Sequence, residues 1–350
     1  MRNMVSLKQT EKLMREKLGN KEFDSYAVCV GKDGEEAKIF SENVNGDTYF
    51  DIASMGKVLV TSTLLLKAMG SGKLTLSDTL DMFFDNVPEE KRKITVKQMM
   101  THTSGIIRHE FSMSVADKGR DAVTDFILGF PLGFVPGTSQ MYSCNAYILL
   151  GYIAEKIYGM RLDEAYNKYI KEPLGYTRSG FNIAVDEKNA AVSYKRRDAG
   201  EYRVDDENAY SLRGIGGNGA QFFTPDDLCL FVQAVMQKSG KLYPKEIFDL
   251  AERDCTGGVG EPWGLGWLIV DENYHQTGKL FQPGSFGHCG HTGTSMFMNR
   301  NKGLYAVVLT NATRFLNMRS DFKGYDYGEI MKMREEIHNA VYCDLYSSQM

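Results

Sequence analysis

The alternation of apolar and polar positions divides the chain into strand-rich ends and a helical middle. Near the N-terminus, Met4, Leu7, Met14 and Leu18 fall on one stripe, which predicts an amphipathic helix over Ser6–Leu18 closed by Gly19. Tyr26–Val30 and Ala37–Phe40 read as strands joined by the turn-forming Gly31-Lys32-Asp33-Gly34. Asp51-Ile52-Ala53 then leads into a helix from about Ser54 to Met69 that is apolar on nearly every side and therefore buried. Between Gly72 and Arg213 the pattern is mostly helical, clearest over Asn145–Tyr158 and Leu162–Ile170. Thr224-Pro225-Asp226-Asp227 combines a capping hydroxyl, a first-turn proline and two acids at the positive end of a helix dipole.

After Trp263 the period returns to two. Leu265–Val270, Thr294–Met298 and Leu304–Leu309 read as strands, and Ile330, Met333, Ile337, Val341 and Leu345 mark a closing helix. The simplest assembly is α+β: one antiparallel sheet built from both termini and flanked by helices, with an inserted, mostly helical domain. The expected division is a discontinuous α/β sandwich domain over 1–71 and 214–350, a helical domain over 72–213, and a site in the cleft between them.

The chain has 350 residues, with 43% hydrophobic and 25% charged, near the globular average, so a packed core is expected. The net charge of −4, with no Lys/Arg run, argues against a nucleic-acid partner. The longest apolar stretch, Val58–Leu66, falls far short of the roughly 20 residues that span a bilayer, so no membrane is expected. The first residues carry no apolar leader core, which predicts a cytoplasmic chain. Six scattered cysteines without a C-x-x-C fit reduced thiols rather than a disulfide framework.

Three common signatures fail on context. Gly214–Gly219 matches G-x-G-x-x-G but follows a polar stretch and lacks the later acid, which argues against a dinucleotide fold. No phosphate-binding loop and no G-x-S-x-G is present. His288, His291, Cys144 and Cys289 do not fall in a metal-ligand spacing, so neither metal nor cofactor is expected.

Ser54-Met55-Gly56-Lys57 is an S-x-x-K. A chain this long holds about one or two such matches by chance, and Ser320-Asp321-Phe322-Lys323 is a second copy. Ser320 lies in a polar, turn-like stretch, whereas Ser54 opens a buried helix. Residues three apart share a helix face, so the Lys57 amine can reach the Ser54 hydroxyl. Serine is a poor nucleophile until a base takes its proton, and lysine can be that base where burial or a nearby cation favours the neutral amine. The Ser54 N–H, at a first turn, can donate to a developing oxyanion. Tyr142, before the helix that begins near Asn145, can shuttle a proton or simply anchor that helix. His288-Cys289-Gly290-His291-Thr292-Gly293 suits either close substrate approach beside a strand or an ordinary tight turn.

In this order and spacing, these pieces resemble the serine β-lactamase and penicillin-binding-protein superfamily, closest to its class C-like branch, which also holds esterases and D-amino-acid peptidases. Met99–Gly105, Glu172–Tyr176 and Trp263–Trp267 resemble further blocks of that family, so the likeness covers nearly the whole chain. It implies Ser54 as nucleophile, Lys57 as its partner and Tyr142 as general base or acid. It implies an oxyanion hole from the backbone N–H groups of Ser54 and His291. It also implies a substrate-binding edge from Cys144, His288, Cys289 and Gly290. Two departures stand out: Cys144 takes the place of the usual motif asparagine, and His288 stands where many members carry lysine. Reading Ser143-Cys144-Asn145 as the S-x-N of other branches is the competing register.

The expected activity is hydrolysis of a small ester or amide-like acyl compound through an acyl-enzyme. A true β-lactamase or D-amino-acid peptidase is the first alternative. A catalytically inert protein that kept the fold, with Cys144 as the disabling change, is the second.

Overall fold

The computed structural model describes residues 6–193, 203–316 and 327–346. The second S-x-x-K, at Ser320, and part of the loop over 184–213 lie outside the described residues. Ten strands occur among the described residues: β1 (Tyr26–Lys32), β2 (Glu35–Phe40), β3 (Tyr49–Asp51), β4 (Gly180–Phe181), β5 (Ala190–Ala191), β6 (Gln221–Phe223), β7 (Leu268–Ile269), β8 (Phe286–Cys289), β9 (Ser295–Asn299) and β10 (Leu304–Thr310).

The α+β architecture is as the sequence predicts. A six-stranded antiparallel sheet runs β2-β1-β10-β9-β8-β7, and the N-terminal strands join the C-terminal ones through β1 and β10. Tyr26 pairs with Thr310 and Lys32 with Leu304. Both central strands are buried on both faces, and their period of two sorts the side chains into separate layers. Tyr26, Val28, Val30, Leu304, Ala306 and Val308 pack beneath the helices Lys8–Gly19 and Tyr327–Tyr346. Ala27, Cys29, Val307 and Leu309 pack on the opposite face, in the large core that holds the Lys57–Gly70 helix and Pro225–Met236. Thr224 caps the latter helix, its hydroxyl accepting from the Asp227 N–H, as its sequence signature predicts.

Three features differ from the sequence reading. The expected strand over Leu265–Val270 contracts to Leu268–Ile269, because Gly266 turns the chain with φ +92 and donates to the Gly264 carbonyl. The single helix expected from Ser54 has three parts: a 3-10 turn over Ala53–Met55, a π-helical stretch over Lys57–Ser62 and an α-helix over Thr63–Gly70. The wide turns are supported from the side, since Thr63 Oγ1 donates to the Val58 carbonyl at 2.7 Å and Thr61 Oγ1 to Gly217 at 2.7 Å. A second sheet, ordered β4-β6-β3-β5, joins short segments far apart in the chain. It pairs β5 with β3, which leads directly into Ser54, and β4 with β6, although β4 and β5 both come from the span expected to be helical.

Candidate active site

Ser54 is the second residue of the Ala53–Met55 turn and is half-buried. Ala53 before it takes φ +47, a left-handed conformation that an alanine adopts only where its surroundings hold it. Asp51 supplies that hold: its Oδ1 accepts the Ala53 N–H at 2.9 Å. Gly56 lets this segment approach β6, because a Cβ there would lie 1.8 Å from Gln221 Oε1.

Lys57 is fully buried, and its Nζ donates to three groups: Ser54 Oγ at 2.9 Å, the Asn218 carbonyl at 2.6 Å and Cys144 Sγ at 3.4 Å. None of these partners is an anion. The three directions exhaust an ammonium's protons; an amine would donate to two and offer its lone pair to the Ser54 hydroxyl. Both chemical forms therefore fit the same seat.

Tyr142 lies at the mouth of the site, 40% exposed, with its ring centroid 5.0 Å from Lys57 Nζ. Burial of its oxygen, then Cys144, pushes the phenol well above its ordinary range, against a smaller opposing pull from the Ser54 hydroxyl. The neutral phenol is thus its resting form. His102 grips the Tyr142 segment in three ways: its carbonyl accepts the Met141 N–H at 2.9 Å, its Nδ1 accepts the Ser143 N–H at 3.1 Å, and its ring lies tilted against the phenol at 4.4 Å between centroids. Accepting at Nδ1 places the imidazole proton on Nε2. Burial, then Lys57, holds the His102 pKa well below its usual value.

The third segment closes the opposite wall. Gly290 passes so near the Ser54 segment that a Cβ would meet the Ile52 carbonyl at 2.4 Å. Thr292 Oγ1 donates to the Asp51 carbonyl at 2.8 Å and Thr294 Oγ1 to Ile52 at 3.3 Å. His288 is buried and donates from Nδ1 to the Cys289 carbonyl at 2.8 Å; burial, then Lys57, lowers its pKa to about 3. It is a neutral group at neutral pH, not a replacement cation. His291 Nε2 lies 2.9 Å from Asp205 Oδ2. Burial alone would lower the His291 pKa, but Asp205 and Asp51 outweigh it and hold it above the usual value.

The structure thus brings Ser54, Lys57, Tyr142, Cys144, His288, Gly290 and His291 together around the nucleophile. Cys289 is placed elsewhere. As the next residue along β8 it faces the opposite layer, with Sγ 3.5 Å from the Tyr274 hydroxyl, so it does not line the nucleophile's side. All six cysteines are free, and among the described residues no three His, Cys, Asp or Glu side chains form a metal-holding group. Sequence reasoning missed His102, Asn218, Asp51 and Asp205 as parts of the site, and Trp263, whose ring lies edge-on to His102 and His288 at 4.9 and 5.8 Å between centroids. His102 and Trp263 lie inside motif blocks and could have been found there. Asp205 and Asn218 reach the cleft only through tertiary packing.

A family profile described as Beta-lactamase matches residues 10–323. An Escherichia coli (strain K12) protein named as a candidate D-alanyl-D-alanine carboxypeptidase is 28% identical over 308 residues, covering 75% of this chain and 69% of its own. Among solved structures, a beta-lactamase/D-alanine carboxypeptidase from Pseudomonas syringae superposes with a TM-score of 0.72 at 18% identity, over 95% of this chain and 98% of that one. EstCE1, described as a hydrolase with promiscuous acyltransferase activity, gives a TM-score of 0.72 at 16% identity, over 96% of this chain and 98% of its own. At these identities the two structural likenesses concern the fold. No helix among the described residues is long and apolar enough to cross a membrane.

Proposed function

Because the chain belongs to the beta-lactamase family of hydrolases, we propose that it hydrolyses small uncharged esters through an acyl-enzyme on Ser54. The observation that carries the reading is the 2.9 Å contact between a fully buried lysine amine and the half-buried hydroxyl of Ser54. Ser54 Oγ attacks the carbonyl carbon as its proton passes to the Lys57 amine. The C=O electrons move onto oxygen, which the backbone N–H groups of Ser54 and His291 receive. The tetrahedral intermediate collapses, and the departing alkoxide takes a proton relayed from Lys57 through Tyr142. Water then attacks the ester of Ser54, the same groups move its proton in reverse, and the acid leaves. Tyr142 serves as a relay rather than a standing base, since its phenol is held neutral.

The preference for esters rests on the substrate side of the cleft. A β-lactam or a D-alanyl peptide brings a carboxylate, and His288 offers it no cation at neutral pH. Cys144 replaces a carboxamide with a thiol, a much weaker partner for an amide side chain. The partly exposed Tyr142 ring, 5.0 Å from Lys57 Nζ, presents an apolar face beside the nucleophile. The name of the E. coli relative favours a second reading, carboxypeptidase activity on D-alanyl peptides.

Parallel assays with p-nitrophenyl acetate, nitrocefin and a D-Ala-D-Ala peptide separate these readings. Ester turnover is expected to dominate, and Ser54→Ala is expected to lower its kcat by at least about 10³-fold. Fast nitrocefin or peptide turnover with inert esters would reverse the substrate assignment. Full ester activity in Ser54→Ala would remove the nucleophile. An inert chain whose Cys144→Asn variant turns over would instead identify a fold retained without activity.

A further inference from the structure

We propose that two adjacent acids, Asp205 and Asp206, act as positioning residues that hold both sides of the reacting centre from a single loop. The inference rests on the reading of Ser54 as nucleophile and adds a part of the machinery that the motif residues do not contain.

Asp205 acts on the oxyanion side. Its carboxylate takes His291 Nε2 at 2.9 Å, and its own N–H donates to Asp51 Oδ2 at 2.7 Å. The other oxygen of Asp51 holds the Ala53 N–H. One carboxylate pair thereby ties the turn carrying the His291 N–H to the strained residue that precedes Ser54. These groups come from remote parts of the chain, 154 residues apart for Asp51 and Asp205 and 86 for Asp205 and His291. Burial and the neighbouring Asp205 raise Asp51 to about 6, and the His291 imidazole offsets the repulsion between the two acids.

Asp206 acts on the lysine side. Its Oδ1 accepts the Asn218 side-chain N–H at 2.9 Å, and the Asn218 carbonyl is the shortest of the three contacts that seat Lys57. The same oxygen caps the short helix Glu207–Ser211 through the Ala209 N–H at 2.8 Å, so the strap is anchored at its far end. Displacing this loop would move the nucleophile's lead-in, the oxyanion turn and the base together. Reaction rates are sensitive to shifts of about 1 Å in such a centre, whereas ground-state binding is not equally so.

The test compares Asp205→Ala, Asp205→Asn and the surface control Asp117→Ala, whose residue pairs with Arg213 in the open. The readouts are kcat and KM for p-nitrophenyl acetate, the rate of Ser54 labelling by an alkyl fluorophosphonate followed by intact mass, and the thermal midpoint. Asp205→Ala is expected to lower kcat and the labelling rate by about 100-fold, comparable with losing one oxyanion donor, with KM within about threefold. Asp205→Asn keeps an oxygen that can accept from a neutral His291 and should recover at least about tenfold of that loss. Asp117→Ala should match the unaltered chain. Labelling at unaltered speed in Asp205→Ala would overturn the inference alone, and so would an equal loss in Ala and Asn variants that tracks the thermal midpoint. An unaltered chain that neither turns over esters nor labels at Ser54 would overturn the reading of the site itself, and this inference with it.

Discussion

Lys57 and His291 stand on opposite sides of Ser54 and are held in opposite ways. Lys57 sits one helical turn from the serine, sealed from solvent, with a hydroxyl, a thiol and a carbonyl as partners and no anion among them. His291 is partly open and is gripped by a carboxylate from a distant loop, which is itself tied to a second carboxylate. The first arrangement seats the Lys57 nitrogen on a hydroxyl, a carbonyl and a thiol, with no carboxylate in contact. The second compensates charge with charge and holds a stretch of backbone still. On the proposed mechanism, proton movement and oxyanion support thus fall to groups with different surroundings.

The most severe way to break the comparison is on the lysine side. Lys57→Met, which keeps most of the buried volume, is expected to lower ester kcat by about 10²–10⁴-fold, the usual reach of general acid–base catalysis. A loss below about tenfold in kcat would mean that another group takes the Ser54 proton. A milder test sharpens how the relay is aimed. His102→Phe retains a ring against Tyr142 but cannot accept the Ser143 N–H. We expect kcat to fall about 10- to 100-fold with KM little changed. Unaltered kcat would show that the ring contact alone aims the phenol.

The smallest effect concerns stability. His102, His288 and His338 are buried with pKa values below the unfolded value near 6.5, His288 at about 3 and His338 at about 4. Each of these residues therefore binds a proton less readily in the folded chain than in the unfolded one below about pH 6.5, so its own contribution to stability declines with acidification. Asp51 at about 6 and Glu252 at about 7 work in the other direction, because their raised values favour the folded state on acidification. His288→Gln removes one of the three histidine contributions. Between about pH 6.5 and 3, denaturant titrations of that variant should give a decline in stability shallower by at most about 1.4 kcal/mol per pH unit. Identical slopes in the two proteins would mean that His288 is already protonated in the folded chain.

Much of this site is legible from local pattern. The Ser54–Lys57 spacing needs only one turn of helix to bring the two side chains together. The alternation in Tyr26–Val30 and Leu304–Leu309 places their residues in two layers. The cap at Thr224 follows from the residue types alone. Cys289 shows the limit of motif reading: it lies between His288 and Gly290 in sequence, yet strand alternation sends it to the far layer. The π-helical stretch after Lys57 was not legible either, since it depends on Thr61 finding the carbonyl of Gly217, 156 residues away.

The chain by itself therefore determined the α+β class, the pairing of its two ends in one sheet and the serine–lysine couple, because each depends on spacings of a few residues and on the burial of apolar faces. Only the tertiary structure decided what surrounds that couple. The grip of His102 on both amides flanking Tyr142, the Asp51–Asp205–His291 chain and the carbonyl of Asn218 beneath Lys57 join segments distant in sequence. Hydrogen bonds and ion pairs act over a few ångströms, and no local pattern records which remote segments packing will bring within that range.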